Sequence, residues 1–327
     1  MQPFALQRPT HIDEVAALLA DRPDARLHAG GTDLVPNLRR DIERPPLLID
    51  LSRVSGFGDV SISDAGLSLG AGATLGRLAS DAHIVRHFRA IAEAAQAIAG
   101  PGHRSAATLG GNLCLDTRCV FYNQSAWWRA ANDYCLKRGG TICHVAPQGK
   151  HCHAAFSGDL APALLVLDAE VELLSTRGAR RFPLADLYRD DGAAHLTLAR
   201  DEILVRVHVP APAAASSCGY RKARIRGAMD FPLAGVAIAL VQSHGLLAAL
   251  RVALTGTNPR PIVLQGTEAL LGKPARDESA AALGKLVRKQ VSPMRTTVTP
   301  SNHRRLVAAA LAQRLLRELA HDGLPAG

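Results

Sequence analysis

The stretch Arg26-Leu-His-Ala-Gly-Gly-Thr-Asp-Leu34 reads as a short strand, a glycine turn and the first residue of a helix. Such a turn sets consecutive backbone N–H groups at a helix N-terminus, where glycine lets a phosphate approach the main chain closely. By itself it is also what an ordinary capped helix start looks like, with Thr32 and Asp33 as the polar residues. A second small, polar turn with tandem glycines, Thr108-Leu-Gly-Gly-Asn112, follows in the same domain. Two turns suit a diphosphate better than one. Neither is a dinucleotide fingerprint of the Gly-x-Gly-x-x-Gly kind: the nearest match, Gly70-Ala-Gly72-Ala-Thr-Leu-Gly76, has its third glycine one place late. There is no Walker lysine either, so a nicotinamide site and an ATPase are disfavoured, while a flavin dinucleotide held by another fold stays open.

Outward from the first turn, short apolar strands alternate with amphipathic helices. The pattern predicts helices over 11–20 and 34–40, strands over 46–51 and 66–70, a helix from about Leu75 and another over 84–98, ended by Pro101 and Gly102. Later, 160–167 is apolar, while 169–174 and 202–209 alternate as half-buried strands do. Residues 210–217, rich in Pro, Ala and Ser, read as a linker. Beyond it, strands over 235–241 and 246–254 and helices over 262–271, 280–287 and 303–319 predict a smaller α+β domain. No internal repeat is present.

The chain has 327 residues, 47% of them apolar and 4% aromatic, which describes a soluble globular protein with ample core. No apolar run is long enough to span a membrane, and the start lacks the pattern of a secretory signal, so a cytoplasmic protein without membrane contact is expected. The net charge of +9 is scattered, and its densest runs, 177–181 and 221–226, lack interleaved aromatics, which argues against nucleic acid and for an acidic protein partner.

Five of the six cysteines (Cys114, Cys119, Cys135, Cys143, Cys152) and both tryptophans fall within residues 114–153, directly after the second glycine turn. In a reducing compartment clustered thiols are metal ligands more often than disulfides. Four thiolates suit zinc or an iron–sulfur cubane; no Cys-x-x-Cys pair favours a zinc ribbon, yet His144, His151 and His153 beside the cysteines keep a mixed zinc site open. Cys114 and Cys218 read as small packing residues. Trp127, Trp128, Tyr122 and Tyr134 read as packing aromatics that also shield the metal. No nucleophile elbow, metalloprotease helix or catalytic pair is present; Asp190-Asp191 reads as a solvated turn.

Four segments, Leu27-His-Ala-Gly-Gly-Thr-Asp-Leu34, Ala107-Thr-Leu-Gly-Gly-Asn112, Ser157-Gly-Asp-Leu-Ala-Pro-Ala163 and Tyr220-Arg-Lys222, resemble the flavin-binding medium subunits of the xanthine dehydrogenase and carbon monoxide dehydrogenase family of molybdenum enzymes. The resemblance covers nearly the whole chain. It implies an α+β fold: a two-part, PCMH-type FAD-binding domain over 1–212, then a C-terminal domain of carbon monoxide dehydrogenase flavoprotein type over 216–323. It further implies that Leu27, His28, Ala29, Gly30, Gly31, Thr32, Asp33 and Leu34 cradle the FAD pyrophosphate, with Ala107, Thr108, Leu109, Gly110, Gly111 and Asn112 on its other side. Asp159 would contact the ribityl or adenosine part, and Leu204 and Lys222, or Arg221 in place of Lys222, would lie near the flavin ring.

Most members of that family lack residues like 114–153. One branch, the flavin subunits of 4-hydroxybenzoyl-CoA reductases, is similar in carrying an insertion there, and the spacing Cys119-x15-Cys135-x7-Cys143-x8-Cys152 matches it. This resemblance implies a 4Fe-4S cluster on those four cysteines. It also implies a molybdenum-binding large subunit, a 2Fe-2S small subunit and ferredoxin as electron donor, in the degradation of aromatic compounds. The alternatives are a zinc-stabilised nucleotide-binding module without redox activity and a stand-alone flavin oxidase.

Overall fold

The computed structural model describes residues 2–213, 215–295 and 298–322. Three sheets organise it. The first contains β1 (Ala5–Gln7), β2 (Arg26–His28) and β3 (Leu47–Asp50), all parallel, in the order β1-β3-β2. The central strand Leu47-Leu-Ile-Asp50 is buried at every position, as a parallel strand covered on both faces must be. The helix Ile12–Asp21 crosses between β1 and β2 and lays Val15 and Leu19 on Leu47 and Ile49. Its start is fixed by Glu14, whose carboxylate accepts the Thr10 N–H at 3.0 Å.

The second sheet is antiparallel, with β4 (Val60–Ser63), β5 (Gly66–Gly70), β6 (Glu170–Ser175), β7 (Gly178–Pro183) and β8 (Ile203–Pro210) in the order β4-β5-β8-β6-β7. Its core face is covered by short helices, among them Leu75–Ser80, Arg89–Gln96, Leu109–Leu113 and Leu160–Leu165. The helix expected over 84–98 is two helices, Ala82–His87 and Arg89–Gln96. Phe88 leaves the helical region between them (φ −129°, ψ 46°) and so buries its ring in the core.

The third sheet, β9 (Ser216–Ala223), β10 (Ala234–Ser243), β11 (Leu246–Thr255) and β12 (Ile262–Val263), is antiparallel in the order β12-β11-β10-β9. The last residues of the expected linker, Ser216 and Ser217, already pair with Val241 and Leu240. Alternation along β10 decides how this part sits: Val236, Ile238 and Leu240 pack under the helices Asp277–Gln290 and Ser301–Asp322, while Ala237 and Ala239 face the core of the first part. The sheet is thus sandwiched between its own two helices and those of the N-terminal part. The helix expected over 262–271 is instead β12 followed by a 3-10 turn, Thr267–Leu270, because Gly266 takes a left-handed conformation (φ +83°) before it. Among the described residues no helix is long and apolar enough to cross a membrane.

Candidate functional site

The two glycine turns touch. A methyl group on Gly30 would lie 1.9 Å from the Ala106 carbonyl oxygen, so only glycine permits the contact. Gly31 is left-handed (φ +68°) and holds its chain against His28. Among the described residues, nothing accepts from the N–H groups of Gly30, Gly31, Thr32, Asp33 or Leu34, although the Gly31 carbonyl already accepts from Val35 at the start of the helix Leu34–Arg39. Beneath them, His28 Nδ1 is buried without a hydrogen-bond partner, 3.7 Å from Asp50. Burial pushes the Asp50 carboxyl up, but the Ser52 N–H and His28 outweigh it and hold the group below its usual range.

The second turn is built differently. Thr108 caps its helix by accepting from Gly111 N–H at 3.2 Å, and Leu109 and Gly110 donate to the carbonyls of Ala73 and Ala71. Asn112 accepts the Leu160 N–H at 3.0 Å through Oδ1. The backbone donors of Leu109, Gly110, Gly111 and Asn112 are therefore spent on the fold, and the turn presses on Gly30 through Ala106 and Ala107. The unspent N–H row of the first turn fits a diphosphate, and the close approach of the second restricts what can lie over it. Ala29 and Leu27 lead into the turn from β2, and Leu27 packs on the first sheet's core.

Asp159 and Lys222 occupy the seam between the N-terminal part and β9. Lys222 Nζ is 3.0 Å from Asp159 Oδ2, the Tyr220 hydroxyl donates to Asp159 Oδ1 at 2.5 Å, and both charged side chains are 4% exposed. Burial raises the Asp159 carboxyl, with Lys222 and Tyr220 opposing it. Both carboxylate oxygens are thus taken, and Asp159 joins the N-terminal part to β9 from the residue before the helix Leu160–Leu165. Strand alternation sends Tyr220 and Lys222 to Asp159, whereas Arg221 pairs with Glu93 at 2.9 Å and Glu318 at 2.7 Å. Leu204 is buried in the second sheet's core, on the strand that meets the helix Leu109–Leu113. Lys222 and Arg224 also donate to the Ala97 carbonyl.

The cysteine-rich segment is closed at its base by a bridge between Arg118 and Ala155, with reciprocal N–H to carbonyl bonds of 2.9 Å. All four spaced cysteines line one small cavity, together with Phe121, Tyr122, Lys137 and His144. No disulfide forms; Cys135, Cys143 and Cys152 are buried and Cys119 is partly so. Cys119 Sγ accepts the Tyr122 N–H at 3.2 Å and Cys152 Sγ accepts the Ala154 N–H at 3.4 Å. Burial raises the Cys119 thiol and pushes that of Cys152 up to about 12. Among the described residues no three His, Cys, Asp or Glu side chains are gathered closely enough to hold a single metal ion. Tetrahedral zinc would need four sulfurs at about 2.3 Å from one centre.

Sequence reasoning missed the charges that seat this segment. Arg118 donates to Asp33 of the first glycine turn at 2.5 Å and to Asp116 at 3.2 Å. Lys137 is 2.6 Å from Asp116, and Arg138 reaches the Ile42 carbonyl and Glu43. Arg118, Lys137 and Arg138 surround the buried Tyr122 ring at 4.5–5.8 Å. Nothing in their spacing marks them; only the fold brings Asp33 beside Arg118. Cys114, by contrast, is partly buried against the flavin-domain core and does not line the cavity, and desolvation lifts its thiol to about 12.

The model for the FAD binding domain in molybdopterin dehydrogenase matches residues 2–212, and that for the CO dehydrogenase flavoprotein C-terminal domain matches 219–319. The aldehyde oxidoreductase FAD-binding subunit PaoB of Escherichia coli (strain K12) is 33% identical over 84% of this chain and 88% of its own length. A putative xanthine dehydrogenase FAD-binding subunit, XdhB, of the same organism is 28% identical over 88% and 85%. Among solved structures, a carbon monoxide dehydrogenase chain from Hydrogenophaga pseudoflava superposes with a TM-score of 0.80 at 23% identity, covering 99% of this chain and 100% of that one. With two family models accounting for nearly all its length, the chain belongs to the FAD-binding subunits of the molybdopterin dehydrogenase family.

Proposed function

We propose that this chain is the electron-transferring flavin subunit of a molybdenum enzyme of the 4-hydroxybenzoyl-CoA reductase type. In this reading it holds FAD at the glycine turns and a 4Fe-4S cluster on Cys119, Cys135, Cys143 and Cys152. The observation that carries the reading is that four cysteines from one insertion line a single cavity, two of them accepting backbone N–H bonds of the kind that stabilise cluster sulfurs. FAD exchanges one or two electrons and a cluster exchanges one, which suits stepwise supply of low-potential electrons for removing a phenolic hydroxyl from an aromatic thioester. The chain's own part is to bind both groups and fix their separation: Arg118 ties the insertion to Asp33, and Arg138 ties it to the loop at Ile42.

The partners on this reading are a molybdenum-binding large subunit that takes the substrate, a 2Fe-2S small subunit and a cytoplasmic ferredoxin. The test is metal analysis and absorbance of the protein purified without oxygen. Flavin bands with a broad iron–sulfur absorbance that bleaches on reduction, and four irons lost in Cys135→Ser while FAD stays, are expected. Zinc in place of iron, flavin turnover by the chain alone, or full iron retention in Cys135→Ser would overturn the proposal.

A further inference from the structure

We infer that Lys137 is a positioning charge for the thiol cavity, one that favours the reduced state of the group held there, and that Asp116, Arg118 and Asp33 fix it in place. The inference rests on reading the four cysteines as cluster ligands.

Lys137 comes from the 3-10 turn Leu136–Arg138 that follows Cys135, and it lines the same cavity as the four thiols. Its side chain is only 7% exposed. Nζ lies 2.6 Å from Asp116 Oδ1, 2.5 Å from Thr117 Oγ1, 3.1 Å from the Thr117 carbonyl and 3.0 Å from the Gly192 carbonyl. Those oxygens saturate its donors and hold the ammonium in one position, with the Tyr122 ring 4.5 Å away on another side.

Only one of the four oxygen partners is charged, and it is shared. Asp116 also binds Arg118, and Arg118 binds Asp33. The row Asp33, Arg118, Asp116, Lys137 therefore alternates in sign from the first glycine turn to the thiols and ends on a cation. In an enclosed site a fixed charge acts with little screening. Adding an electron to a cluster adds one negative charge, so a fixed cation at its side favours the reduced form, and a carboxylate behind the cation weakens that effect.

The test is an EPR-monitored redox titration of the full chain with FAD bound, comparing wild type with Lys137→Met and Asp116→Asn. Iron content and FAD content are read in parallel. The expected result is a shift of the cluster potential to more negative values in Lys137→Met and to more positive values in Asp116→Asn, with four irons kept in both. A merely structural role would disturb iron content in both variants and give no opposed shifts. Should Lys137→Met lose iron, Lys137→Gln keeps hydrogen-bond donors without the charge and must show the same negative shift. Shifts of the same sign, no shift, or iron loss in all three variants overturns the inference. A wild-type protein without iron sinks the cluster reading itself, whereas an iron-loaded wild type with unmoved variant potentials sinks only the role of Lys137.

Discussion

Replacing Lys222 with Met tests the seam between the two parts of the molecule. Lys222 and Asp159 are both enclosed, and the Tyr220 hydroxyl is the remaining close partner of the carboxylate. Without the ammonium, Asp159 must stay charged in a buried site or take up a proton, and protonation is the cheaper course. A carboxyl with an ordinary value near 3.9 costs about 4 kcal/mol to keep neutral at pH 7, but only about 1.5 kcal/mol at pH 5. The sign follows from proton counting: in this range the folded variant holds a proton that the unfolded chain has lost, so its stability falls as pH rises. The same direction applies more weakly to the wild type, where burial already raises the Asp159 carboxyl. Urea unfolding at both pH values, at one fixed FAD concentration, should therefore show a loss of about 3–5 kcal/mol at pH 7 that shrinks markedly at pH 5. In Lys222→Met combined with Asp159→Asn no buried charge remains and Tyr220 keeps an acceptor, so the pair should recover to within about 1 kcal/mol of wild type. Equal losses at both pH values, or a double variant no more stable than the single one, would refute the assignment of Asp159 as a charged tie.

Two further outcomes follow from the site. Gly30→Ala forces a methyl group against the Ala106 carbonyl and should part the two turns; the purified variant is expected to keep its fold by circular dichroism yet lose most of its flavin absorbance per chain. Cys114, with a thiol pushed up to about 12 by burial, should react with iodoacetamide at pH 8 about a thousandfold more slowly than an exposed cysteine, and Cys114→Ala should leave the iron content unchanged.

The fold was legible where periodicity and punctuation agreed. The strand, turn and helix around Gly30 and Gly31, the buried run at Leu47–Asp50 and the long alternating pair β10 and β11 could all be read locally. What local reading misjudged was decided elsewhere in the chain. Residues 262–271 have helix-compatible composition, but pairing with Ala253 and Leu254 of β11 takes Ile262 and Val263 into a sheet. The short edge strand β7, with Arg180 and Arg181 on it, carries too little apolar pattern to be recognised, and it exists because β6 offers it an edge. At the site, the glycine turns could be read from sequence as one constellation, but the difference between them could not. Both have tandem glycines; only their hydrogen bonds separate the turn whose N–H row is unspent from the one whose Leu109, Gly110, Gly111 and Asn112 N–H groups hold the fold together.

Charge changes its meaning in the same way. The cations of the insertion suggest a basic face for an acidic partner when they are counted along the chain: Arg118, Arg129, Lys137, Arg138 and Lys150 against Asp116 and Asp133. Folding turns most of them inward. Arg118, Arg129 and the Lys137 side chain are enclosed, and Arg138 is half-buried on Tyr122 and Glu43, which leaves Lys150 as the exposed one. What the insertion presents to solvent is instead Trp127, 77% exposed, with Tyr134 and Ile142. Trp128, beside it, contacts Phe121, which stacks on His144, and both of these rings line the thiol cavity. The positive charge is thus committed to seating the segment on the flavin-domain turn and to the cavity, while the aromatic residues supply its outer cover. An electron carrier meeting this face would be held chiefly by apolar contact, and any steering by the chain's excess of positive charge must come from residues outside the insertion.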